Sequence, residues 1–72
     1  MTFLERMEAL GRAGMTVSIV YGPCGDRGLQ WSVNVLSPDG REFARPFLAN
    51  DALHALDIAE LEIHQRGWDV RQ

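Results

Sequence analysis

Ten acidic and seven basic side chains in 72 residues, with a net charge of −3 and one cysteine, describe a single small domain, spanning 1–72, that repels polyanions at long range and holds no internal disulfide. At this size folding buries only about 60% of the unfolded chain's surface, which leaves little reserve for deep pockets or buried charges and argues against a complete enzyme. No stretch approaches the ~18 consecutive apolar residues of a membrane span, the first ten residues hold two acids and no long apolar run, and the lone thiol suits a reducing cytoplasm.

Phe3, Leu4, Met7 and Leu10 recur at helical spacing with Glu5, Glu8 and Arg12 opposite, and Thr2 is a good cap, so a short first helix is predicted, its exit bracketed by Gly11 and Gly14. From Met15 the period becomes two: Met15, Val17, Ile19 and Tyr21 alternate with Thr16, Ser18 and Val20, the pattern of a strand. Residues 22–28 hold three glycines and a proline and read as a loop. A second strand follows, with Leu29, Trp31, Val33 and Val35 on one face and Gln30, Ser32 and Asn34 on a wet one.

Ser37, Pro38, Asp39 and Gly40 suggest a three-residue hairpin loop with a bulge. If Ser37 faces Arg41, then Val35 faces Phe43 and Trp31 faces Phe47, which gathers the large apolar groups on one side but sets Arg45 opposite Val33, on the buried side. An edge strand from which Arg45 snorkels past the rim resolves that conflict, and Pro46 agrees with an edge. Asn50 as N-cap, Asp51 in the first turn and Gly67 as stop define a second helix to Arg66, whose core stripe is Ala52, Ala55, Leu56, Ala59 and Ile63. Trp68 and Val70 then form a short final strand or a tail. The predicted class is α+β: helix, three-stranded antiparallel sheet in order 1-2-3, helix, with both helices on one sheet face.

Chemistry-bearing residues are sparse. Cys24, in a glycine-rich loop, has no evident base or oxyanion site, and a thiol enzyme would need both. His54 and His64 stand about 15 Å apart along a helix and some 80° around it, too far to share one metal ion. The Gly22, Gly25 and Gly28 spacing joins strand to strand, whereas phosphate loops need a helix N-terminus behind the glycines. Asp57, Glu60 and Glu62 read as the solvated side of a helix. No catalytic residue, metal ligand or cofactor is predicted.

The element order resembles the double-stranded-RNA-binding domain, which implies a phosphate-holding basic cluster at the start of the last helix; this chain has Asn50, Asp51 and Ala52 there. Trp31, Val33 and Val35, the Ser37 to Gly40 turn, Phe47 and the alanine-rich helix resemble the ethylene-response-factor DNA-binding domain of plants and the arm-binding domains of phage-type integrases. That resemblance implies DNA contact through the open sheet face, here expected to carry Gln30, Ser32, Asn34, Glu42 and Ala44. Across residues 15–49 the charges cancel, with Arg27, Arg41 and Arg45 against Asp26, Asp39 and Glu42, so the basic footprint of a nucleic-acid binder is missing.

On the helical wheel Leu61 lies at about 180° and Ile58 at about 240° from Ala52, pointing away from the sheet, and the first helix can shelter Ile58 or Leu53 but not reach Leu61. Isolated exposed apolar residues are ordinary, yet two on one outer side suggest a contact patch. The expectation is a non-enzymatic protein-interaction module of the cytoplasm, binding a protein partner or self-associating as a homodimer through Ile58 and Leu61. The alternative is a nucleic-acid-binding or regulatory protein using Arg27, Gln30, Asn34, Arg41 and Arg45.

Overall fold

A computed structural model describes residues 2–44 and 46–68. Helix α1 (Phe3–Arg12) starts in a capping box: the Thr2 hydroxyl accepts from the Glu5 N–H at 3.1 Å, and the Glu5 carboxylate accepts from the Thr2 N–H at 3.0 Å. Hydrogen bonding from Thr2 to the carboxylate, chiefly from its backbone N–H, holds the Glu5 carboxyl below its ordinary value of 4.5, and the Ser37 and Arg41 bonds to Asp39 lower that group from 3.8. Carboxylates depressed by folding contribute stability that is present above their unfolded pKa and lost as pH falls through the folded one. The urea midpoint should therefore drop as pH falls below about 5; Glu5→Gln and Asp39→Asn together should flatten that acid limb, and an unaltered limb would show that other groups carry it.

The chain turns at Gly14, whose φ of +102° an L side chain rarely adopts, and enters β1 (Thr16–Pro23). β1 runs through Gly22 and Pro23, which the sequence pattern assigned to the loop, and pairs antiparallel with β2 (Leu29–Leu36) from Thr16 opposite Leu36 to Pro23 opposite Leu29. The connection shrinks to 24–28, with one 3-10 turn at Gly25–Arg27 closed by the Cys24 N–H on the Gly28 carbonyl.

The second hairpin departs from the expected register. The Ser37 N–H donates to the Glu42 carbonyl, and the Ser37 hydroxyl accepts from the Glu42 N–H, so Ser37 opposes Glu42 rather than Arg41. Asp39 causes this by accepting from the Arg41 N–H and from the Ser37 hydroxyl, which draws Arg41 into the turn. Phe43 then bridges Leu36 on the open face and is 72% exposed, while Ala44, bonded to the Val35 carbonyl, takes the buried place. A further one-residue slip before β3 (Phe47–Ala49) sets Phe47 opposite Val33 and Ala49 opposite Trp31. Trp31 and Phe43 therefore lie on opposite surfaces. The place opposite Val33 that the pattern gave to Arg45 belongs to Phe47; Arg45 itself lies outside the described residues, as does Val70.

Helix α2 (Ala52–Arg66) begins one residue later than predicted, with Asp51 at the N-cap position but making no side-chain capping bond, while the Asn50 side chain accepts from the Gln30 amide. It ends at Gly67 in the left-handed region (φ +75°), with the Trp68 N–H on the Ile63 carbonyl and the Trp68 ring against Arg66. The sheet order is β1-β2-β3, with α1 over β1 and α2 over β2 and β3. One core cluster joins Leu10 of α1, Val33, Val35 and Phe47 of the sheet, and Ala55, Leu56, Ala59 and Ile63 of α2, so both helices cover the same face. The alanines let α2 approach the sheet closely. No helix among the described residues is long and apolar enough to cross a membrane.

Candidate interaction surfaces

Arg6 ties α1 to α2. Its guanidinium donates to Glu60 (2.5 and 3.2 Å) and to Asp57, which raises its pKa further, chiefly through the Glu60 bond. The two carboxylates that the sequence pattern left solvated are thus the α2 half of an inter-helix clamp. At the other side of α2, Arg66 donates to Glu62 at 2.7 Å and to Glu42 at 2.8 Å, tying the helix end to the second hairpin.

These ties orient the outer side of α2. Leu61 is 61% exposed, and Leu53, on the α1 side, is also exposed. Ile58 does not point away from the sheet: it turns to the β3 side, is half-buried, packs against the core, and borders a shallow hollow of about 300 Å³ with Pro46, Phe47 and Leu48. Leu53, Asp57 and Leu61 follow one another at four-residue spacing and form a single ridge, apolar at both ends.

A larger hollow, about 580 Å³, opens at the N-terminus of α2 between Arg27, Gln30, Asn50, Asp51 and His54. Its one arginine is balanced by the Asp51 carboxylate, and the Gln30 amide is spent on Asn50. Among the described residues, no group of three His, Cys, Asp or Glu side chains is placed to hold a metal ion. Cys24 is partly buried, with its thiol on the Gly22 carbonyl at 3.6 Å.

The nucleic-acid candidates do not converge. Arg27 and Arg41 lie beyond opposite ends of β2, whose eight residues span about 26 Å. Gln30 is buried, and the Asn34 amide bonds the Ser32 hydroxyl within its own strand. The open face is also greasier than the predicted set: Glu42 closes the turn, Ala44 goes to the core, and Leu36, Phe43 and Leu48 join Val20 on that face.

Two features are not plainly encoded in the local sequence pattern. The exposed Phe43 follows from a loop one residue longer than the turn type suggested, for which Asp39 ahead of Arg41 was the only local signal. The other is the state of the β1 edge: order 1-2-3 makes β1 outermost as predicted, but the strand runs on through Gly22 and Pro23, so among the described residues its unpaired side is longer than the pattern indicates. Comparison of the chain with protein-family models, curated proteins and solved structures finds no match.

Proposed function

We propose that this chain is a small non-enzymatic protein-interaction module whose partner surface is the outer side of α2, centred on Leu61, with Leu53 along the same ridge and Ile58 at its margin. The supporting observation is Leu61 itself, a large apolar side chain left mostly bare on the helix that supplies more of the core than any other element. Covering an isolated leucine by a complementary chain is worth roughly 1.5–3 kcal/mol, enough to anchor a contact. The lone cysteine suits work in the cytoplasm, where thiols stay reduced. A photo-crosslinking amino acid placed at position 61 should give a discrete protein adduct in expressing cells, while the same group at position 41, in the hairpin turn, should not. Adducts from 41 alone, or from neither position, would overturn the reading. Amide shifts confined to the sheet on adding an oligonucleotide at low salt would favour nucleic-acid binding instead.

A further inference from the structure

The two edges of the sheet are unlike. β3 carries the devices that keep an edge from pairing: it is three residues long, follows Pro46, and is preceded by a register slip. β1 carries almost none. It is eight residues long, pairs with β2 without a bulge, holds no charged side chain, and has its single proline at the last position.

The hydrogen bonding shows which groups are bare among the described residues. The Ala44 N–H bonds the Val35 carbonyl, so the backbone groups of Val35, Val33 and Trp31 point towards β3, and those of Leu36, Asn34, Ser32 and Gln30 point towards β1. Their partners Thr16, Ser18, Val20 and Gly22 therefore bond inward, and the N–H and C=O groups of Val17, Ile19 and Tyr21 point out of the sheet.

We infer that a second copy of this chain adds to that edge, β1 against β1 in antiparallel register about a two-fold axis at Ile19. Val17 then opposes Tyr21 of the partner subunit, and all three outward residues exchange both backbone bonds. The side chains accept this register. On the helix-covered face Val17, Ile19 and Tyr21 meet their counterparts, a β-branched and aromatic set, and on the open face Ser18 meets Val20, so no like charges meet along the strands. Leu4, 66% exposed, lies about 160° around α1 from Arg6 and therefore on the flank away from α2, above the same edge. A strand edge about 26 Å long in a molecule whose shortest extent is 17 Å offers at most roughly 450 Å² per copy, below the size of a standard stable interface, so the dimer is a dissociable one. Opposed residues share a face, so the product is a six-stranded sheet with both α2 helices on one side. The Leu61 surfaces are then presented twice, in parallel. This arrangement rests on the interaction-module reading for its purpose, but not for its geometry.

Sedimentation velocity between roughly 1 µM and 1 mM should show a monomer becoming a dimer. Amide exchange at Val17, Ile19 and Tyr21 should slow roughly tenfold or more on concentration, while Ser18 and Val20 stay slow throughout. Ser18→Lys with Val20→Lys should remain monomeric and folded by circular dichroism, and mixing it with the Ser18→Glu and Val20→Glu double variant should restore the dimer. A dimer that survives the lysines but is dissolved by Leu61→Asp would overturn the edge pairing and leave the α2 reading standing; a chain monomeric at 1 mM would overturn the pairing as well. If position 61 gives no adduct but the edge behaves as stated, the α2 reading falls alone.

Discussion

Phe47→Ala should cost about 3–5 kcal/mol of unfolding free energy, while Phe43→Ala should leave it within about 0.5 kcal/mol. Phe47 is 3% exposed, opposes Val33 and belongs to the central cluster; its removal leaves a cavity that three residues of edge strand cannot close. Phe43 stands in water beside Leu36. A domain of 72 residues has roughly 4–11 kcal/mol in total, so the Phe47 variant loses a large share of what holds it folded. Urea melts of both variants decide the matter. Equal losses would restore the register in which the two phenylalanines share the core face.

Leu56→Ala should be comparably damaging, at about 2–5 kcal/mol, and Ala59→Leu should cost about 1–3 kcal/mol for the opposite reason. Both side chains are fully buried where α2 meets the sheet. Leu56 is among the largest of the side chains with no exposure, so its deletion opens a void; Ala59 keeps the helix close, so extra methyl groups push it off the strands. The two variants should shift the urea midpoint in the same direction with little change in slope. A tolerated Ala59→Leu would mean that α2 rides loosely over the sheet.

The elements and their order were legible because their periods are clean. Val17, Ile19, Val33 and Val35 alternate without interruption, and Leu56, Ala59 and Ile63 keep one helical stripe. Register was not legible beyond the second turn. It hung on whether Ser37 closed on Arg41 or Glu42, a choice made by hydrogen bonds from Asp39 and Ser37 that the turn composition permits either way. Each one-residue slip reverses every following side chain, which is why Phe43 and Ala44 exchange places while Phe47, after two slips, returns to the core. Arg6 was equally opaque: pairing it with Asp57 and Glu60 requires knowing that the two helices lie side by side. On the candidate surface, Leu61 was readable from the wheel alone, whereas the placement of Ile58 depended on which flank α1 would occupy.

Helix α1 is held differently from the rest of the fold. Leu10 is its one buried residue; Phe3 and Met7 are only half covered, and the Arg6 clamp on α2 adds an attachment that is ionic. Ionic attachments of partly exposed groups weaken as electrolyte rises, whereas the greasy seam between α2 and the strands does not. The first segment to peel away under salt or mild heat is therefore this amino-terminal arm, in a sub-global opening that strips the cover from Val17 and Ile19 and leaves β1 uncovered on its inner face as well as along its rim.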